Sequence, residues 1–297
     1  MIAILGAGAM GRLWAASLPA HETAFVPRPG QTNTAPAHFH FQEADGHSRQ
    51  VTVSWLSAAD SPALVLITTK AGDSTEAVEH LADWLPATTP IVLFQNGLGS
   101  QQAVAERWPD RPVLAATTTE GANRPAPDQL VHAGTGDTWI GPLTKPAEQN
   151  LYGVIARLSA SGLSIHAEQD ILGRLWQKLI INAGINPFTA LLNCRNGDIL
   201  SADLYRAHID GLCQEIAGLM DTIGRGPADA KDLRQSIEAV ARGTAQNISS
   251  MRSDVLSGKR TEIDYINGYI VRLGQSLNIA TPVNRMLTEQ VQQLSSG

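Results

Sequence analysis

The sequence predicts an α/β chain in which an N-terminal doubly wound sheet is followed by a C-terminal all-helical domain. Three observations carry this expectation. The chain opens MIAILGAGAMG, so the apolar run Ile2, Ile4 and Leu5 leads straight into Gly6, Gly8 and Gly11, and then into an apolar-periodic segment with Leu13, Trp14 and Leu18. Short apolar runs then alternate with helical patterns to about residue 165. Beyond about residue 168 strand-like runs disappear and long helical patterns take over. The expected domains are therefore 1–167 and 168–297.

The strand candidates are Ile2–Leu5, Thr23–Val26, Val51–Trp55, Ala63–Thr68, Ile91–Gln95 and Val113–Thr118. Several are continuous apolar runs, which suit parallel strands buried on both faces. Between them, Asp73–Leu85 and Ser100–Trp108 read as helices, and Pro86 closes the first because proline cannot continue the hydrogen-bond ladder. Gln129–His132 and Thr138–Ile140 flank AGTGD and read as a hairpin or edge pair, followed by a helix at Leu151–Ser159 and a last strand at Ser164–His166. The second domain is expected to hold helices at Ile171–Leu192, Ala202–Ile223, Ala228–Ala245 and Thr261–Leu277, with a shorter one at Pro282–Leu294. Ile263, Ile266, Ile270 and Leu273 form one apolar stripe on the fourth of these. A strand running into GxGxxG and then a helix is how a Rossmann-type dinucleotide-binding domain begins. The first glycine permits the tight turn, the second lets backbone approach a pyrophosphate, and the third lets helix and strand pack closely.

Composition sets the bounds. At 297 residues and 43% hydrophobic, the chain can bury one large core or two medium ones. A net charge of −6 with no basic run argues against nucleic-acid binding. No apolar stretch approaches the roughly 20 residues of a membrane span, and a motif beginning at residue 2 leaves no room for a signal or transit peptide. The two cysteines, Cys194 and Cys213, form no CxxC pair and read as buried thiols in a reducing cytoplasm. The eight histidines lack metal-ligand spacing, so no metal is expected.

Polar residues gather where an open α/β sheet binds ligands, outside the carboxyl ends of its strands. After the second strand the chain reads AFVPRPGQ, with Arg28 where an NAD-binding domain carries an acid. A cation there accommodates a 2′-phosphate, which favours NADP(H); a solvated loop arginine is the alternative reading. Lys70 and Asn96 follow two further strands, although NGLG is also a good turn sequence. In the helix from Ile171, Lys178, Asn182 and Asn186 recur at i, i+4 and i+8, spanning an arc of about 80°. Leu175, Leu179, Ile180, Ile181 and Ile185 surround this polar strip, so it must meet partners, water or a ligand unless it is a solvated face. Pro187 should kink or interrupt the helix. Near the C-terminus, Asn247–Met251 is rich in hydroxyl and amide groups, readable as loop or cap. Glu262 falls in the first turn of the last long helix, where an acid is favourable by itself.

These segments resemble the ketopantoate reductase family over essentially the whole chain. The stretches that carry the resemblance are LGAGAMG with Trp14, TTKAG, QNGLG, TTTEGA, WQKLIINAGINPFTALLNCRNG and NISSM…GKRTEIDYINGY. It implies NADPH-dependent reduction of 2-dehydropantoate to (R)-pantoate. On that basis Gly6, Ala7, Gly8, Ala9, Met10 and Gly11 would cradle the pyrophosphate, Arg28 would hold the 2′-phosphate, and Lys70 would contact the cofactor. Asn96 would lie between cofactor and substrate, and Ala122 would line the nicotinamide side. Lys178 would be the catalytic lysine, Asn182, Asn186, Asn247 and Ser250 would hold the keto acid, and Glu262 would serve both nicotinamide ribose and substrate. Desolvation should lower the Lys178 pKa, with a nearby Glu262 opposing the shift. Rival readings are another NADP-linked 2-keto-acid or imine reductase, and an NADPH sensor without chemistry. The latter has no use for a Lys–Asn–Asn strip. The expected partners are a small 2-keto acid and, at most, a second copy of the chain, as a monomer or homodimer.

Overall fold

The computed structural model describes residues 1–28, 30–31, 35–57 and 59–294. They form two compact units: Met1–Gln95 with Ser100–Arg174, and Asn96–Gly99 with Leu175–Gly297.

The first unit is built on an 11-stranded sheet among the described residues. Its strands are β1 (Ile2–Leu5), β2 (Thr23–Phe25), β3 (Ala37–Gln42), β4 (Ser48–Trp55), β5 (Leu64–Ile67), β6 (Ile91–Leu93), β7 (Val113–Thr118), β8 (Gly121–Asn123), β9 (Gln129–Gly134), β10 (Asp137–Pro142) and β11 (Ser164–Ala167). The helices α1 (Ala9–Ser17), α2 (Ser74–Ala82), α3 (Ser100–Arg107) and α4 (Lys145–Leu158) belong to the same unit. The order is β11-β10-β7-β6-β5-β1-β2-β4-β3-β9-β8, parallel from β7 through β2. Alternate side chains of the central strands feed two separate cores. Ile2, Ile4, Leu64 and Leu66 pack with Leu13, Trp14 and Val154, while Ala3, Val65 and Ile67 pack with Val78, Leu81 and Val104. That two-sided burial is why these strands read as unbroken apolar runs.

Three features of this unit differ from expectation. Gln129–His132 and Thr138–Ile140 do not pair with each other. β9 pairs with β8, and β10 pairs with β7 in the register Thr138↔Thr118, so β9 and β10 are successive stretches of one return strand in a long hairpin bent at Thr119–Glu120. Asp137 accepts the Thr119 N–H at 2.9 Å where the strand bends. The second difference is β3, which is antiparallel to β4 and places Phe39 and Phe41 in the core with His38 and His40 outside. The third is the short β8.

The second unit contains α5 (Ile171–Leu191) from Leu175 onward, α6 (Asp203–Thr222), α7 (Ala230–Gly243), α8 (Ser250–Leu256), α9 (Asn267–Ser276) and α10 (Pro282–Leu294). Of the kink or interruption expected at Pro187, the interruption does not occur: α5 continues through it. Every residue from Ala183 to Ala190 is buried, and this enclosing packing outweighs the proline's cost. α8 was not expected as a helix. The segment Thr261–Leu277 is not one helix either: a 3-10 turn at Ile263–Tyr265 and a non-helical Ile266 (φ −106°, ψ −95°) precede α9. Cys213 is fully buried, whereas Cys194 is only partly so, unlike the buried thiol expected there. No helix among the described residues is long and apolar enough to cross a membrane.

Candidate active site

In the first unit, the glycine-rich turn joins β1 to α1. Gly6 adopts φ +108°, and a Cβ there would lie 2.8 Å from the Thr68 carbonyl carbon. A Cβ on Gly11 would run into the Gly6 carbonyl oxygen and stand 2.6 Å from the Thr68 hydroxyl. Thr68 Oγ1 donates to that same Gly6 oxygen at 2.7 Å, so strand, turn and helix meet with no room for side chains. Gly8 precedes the first turn of α1 with open space where its Cβ would be. No side chain caps α1 and no acid occupies its first turn. Its leading N–H groups and the positive end of its dipole therefore suit an anion. The Ala7 carbonyl accepts from Arg12 Nε at 3.2 Å and Arg124 Nη1 at 3.3 Å, adding two cations beside the turn. Burial, and then Arg124, lower the Arg12 pKa from its usual value. Neither arginine was singled out from the sequence, because neither falls in the glycine motif's own spacing as a ligand.

Arg28 is exposed just after β2; the flanking Pro29 lies outside the described residues. Lys70 is half-buried at the start of a 3-10 turn, Ala71–Asp73, beyond β5. Ala122 is half-buried in β8 opposite His132.

In the second unit, the strip on α5 grades from half-buried Lys178 and Asn182 to buried Asn186. Leu175, Leu179, Ile180 and Ile185 enclose it, while Ile181 is half-buried. Desolvation pulls the Lys178 pKa down from 10.5 to about 8, and the Glu262 carboxylate opposes that shift. Glu262 is 7% exposed and accepts a hydrogen bond from Asn96 Nδ2 at 3.0 Å. Asn96 is held there by backbone: the Leu98 N–H donates to the Tyr265 carbonyl at 2.8 Å. Gly97 adopts φ +80°, and any Cβ on it would strike the same carbonyl. The helical pattern breaks beside this contact, at the non-helical Ile266 that follows Tyr265. Glu262 is thus a buried acceptor facing Asn96 and Lys178, and the first-turn role is corrected.

Asn186 connects to the start of α8. Its carbonyl accepts from Thr189 Oγ1 at 2.8 Å, and Thr189 shares a 2.7 Å hydrogen bond with Ser249 Oγ. Ser249 caps α8 by accepting the Arg252 N–H at 3.1 Å, which leaves Ser250 exposed as the first helical residue. Asn247 is also exposed, its carbonyl accepting the Asn196 N–H at 3.1 Å. The structure therefore unites Asn96, Lys178 and Glu262, and links Asn186 through Thr189 to α8. Thr189 was missed; its spacing of three from Asn186 was the available signal.

Comparison with known proteins accounts for the whole chain. Residues 2–145 match the family model described as ketopantoate reductase PanE/ApbA, and residues 170–295 match its C-terminal counterpart. The 2-dehydropantoate 2-reductase of Vibrio cholerae is 35% identical over 300 residues, covering 100% of this chain and 98% of that protein. A PanE/ApbA family ketopantoate reductase from Ralstonia eutropha JMP134 superimposes with a TM-score of 0.85 at 26% identity, covering 99% of this chain and 98% of the other. D-mandelate dehydrogenase, solved with NADH and anilino(oxo)acetate, shares the fold at a TM-score of 0.84, with 22% identity and coverage of 99% and 98%. By both family models and by full-length identity above 30%, the chain belongs to the ketopantoate reductase family.

Proposed function

We propose that this protein reduces 2-dehydropantoate to (R)-pantoate with NADPH, a step of pantothenate synthesis, and that Lys178 is its general acid. The observation that carries the residue assignment is a desolvated lysine on an apolar helix, with the buried Glu262 carboxylate acting on it. The uncapped start of α1 and the open space over Gly8 fit a dinucleotide pyrophosphate. Gly6 to Gly11 would hold that group, Arg28 the 2′-phosphate, and Lys70 and Ala122 would make further cofactor contacts. When bound, NADPH supplies the hydride that adds to C2 of the keto acid.

The remaining chemistry belongs to the chain. Negative charge grows on the C2 oxygen, and the Lys178 ammonium stabilises it and donates its proton there. A pKa near 8 keeps Lys178 largely protonated at neutral pH while easing proton release. Asn182 and Asn186 offer hydrogen bonds without added charge, and Ser250 and Asn247 are accessible donors for the substrate carboxylate. Glu262, fixed by Asn96, keeps Lys178 charged and orients the cofactor ribose and substrate. The cytoplasm is the proposed compartment, and the working unit a monomer or homodimer.

The test is NADPH oxidation with ketopantoate, pyruvate and branched 2-keto acids in parallel. Ketopantoate should give the highest kcat/KM. Lys178→Ala should lower kcat by roughly 10²–10⁴, the span for a positioned general acid, with NADPH affinity near wild type. A near-normal kcat would remove Lys178 from the mechanism.

A further inference from the structure

The proline inside α5 leaves a backbone group that must be satisfied from elsewhere. Pro187 has no N–H, so the carbonyl four residues earlier, that of Ala183, loses its helical donor. Both residues are buried, and a buried carbonyl without a partner is costly. The structure supplies the donor from the first residue of another helix. Asn267, fully buried at the start of α9, donates from Nδ2 to the Ala183 carbonyl at 3.2 Å. The second Nδ2 proton goes to Asn284 Oδ1 at 3.0 Å.

That second partner is itself held firmly. Asn284, also fully buried, donates from Nδ2 to Glu215 at 2.7 Å. The Glu215 carboxylate also accepts the backbone N–H groups of Val283 at 2.7 Å and Asn284 at 3.0 Å, in the first turn of α10. An acid at a helix N-terminus is well placed for this. The Asn267 amide thus has both protons aimed at fixed acceptors, while its Oδ1 is buried with no hydrogen-bond partner. A residue that tolerates an orphaned acceptor to keep two donors in place is there for its donors.

The turn that contains Pro187 also carries the two amides proposed to hold the keto acid. Ala183 follows Asn182, and Pro187 follows Asn186. We propose that Asn267 is a positioning residue: its side-chain N–H replaces the backbone N–H that Pro187 lacks, and so fixes the turn of α5 from which Asn182 and Asn186 reach the keto acid. This rests on the reading of those two amides as substrate ligands. Asn267 itself need touch neither substrate nor cofactor.

The test is a double-variant cycle with Pro187→Ala, which restores an N–H at position 187. In the wild-type background, Asn267→Ala should raise KM for ketopantoate about tenfold, because the turn presenting Asn182 and Asn186 loses its fixed geometry. NADPH affinity, read by fluorescence, should change less than about twofold, since the glycine turn is untouched. In the Pro187→Ala background the same substitution should change KM less than about twofold, because the restored backbone N–H now serves the Ala183 carbonyl. Equal KM effects in the two backgrounds would overturn the proposal, as would an unchanged KM in a folded Asn267→Ala protein. If Asn267→Ala does not fold alone, the double variant decides: it should fold and keep the KM of Pro187→Ala within about twofold, and its failure to do either overturns the proposal. Asn182→Ala, measured alongside, separates two failures. If it leaves KM unchanged, the substrate-ligand reading has failed; if it raises KM and Asn267→Ala does not, the positioning proposal has failed.

Discussion

Replacing Glu262 with glutamine should move the alkaline limb of the pH–rate profile to lower pH. Lys178 has a pKa lowered from 10.5 to about 8, first by desolvation, with Glu262 working in the opposite direction. At about 1.4 kcal/mol per unit, the net environment disfavours the charged lysine by roughly 3 kcal/mol. A general acid must carry its proton, and kcat/KM reports the free protein's ionisations. In the wild type the limb should therefore fall near pH 8, with kcat/KM dropping roughly tenfold from pH 7 to pH 9. Glu262→Gln can still accept from Asn96 but removes the only charge that opposes desolvation among the causes of the shift. Its limb should lie below pH 8. The assay is initial-rate NADPH oxidation across pH 6–10 at low ketopantoate. The same shift sets a stability trend. Between pH 8 and 10.5 the unfolded lysine holds a proton the folded one has lost, so this group's contribution to stability rises with pH through that window. Below pH 8 its cost is fully present. Urea midpoints at the two ends of the window should show that rise in the wild type and not in Lys178→Met. A wild-type limb near 10.5, or a limb that Glu262→Gln leaves in place, would refute the reasoning.

Two further outcomes follow from particular residues. Arg28→Ala should raise KM for NADPH and leave NADH turnover nearly unchanged, whereas equal losses with both cofactors would show that Arg28 does not read the 2′-phosphate. The adjacent serines should separate cleanly. Ser249→Ala loses the α8 cap and the Thr189 bond, costing about 1 kcal/mol or more in denaturant unfolding. Ser250→Ala should barely change stability and should mainly raise KM for ketopantoate; the reverse pattern would exchange their roles.

Local pattern alone determined much of this protein. The glycine turn, the central parallel strands, the helical second half and the Lys178, Asn182, Asn186 strip are all periodic or short-range signals. Steric and burial rules act on them without reference to distant residues. The alternation in AHFHFQ was equally legible as a strand, but two histidines obscured the pair of phenylalanines. Other features had no local cause. Gln129–Pro142 reads as two strands joined by a turn, and only its pairing with Val113–Asn123 makes it one bent return strand. The apolar stripe from Ile263 to Leu273 predicts one helix, yet it breaks at Ile266, beside the Tyr265 carbonyl that the Leu98 N–H engages. That break turns Glu262 from a first-turn acid into a buried acceptor for Asn96, 166 residues away in the chain. Pro187 announced a missing hydrogen bond, but only the folded chain could name Asn267 as its donor. Periodicity records which face of an element is buried. Which distant donor or acceptor completes it is decided when the chain closes on itself.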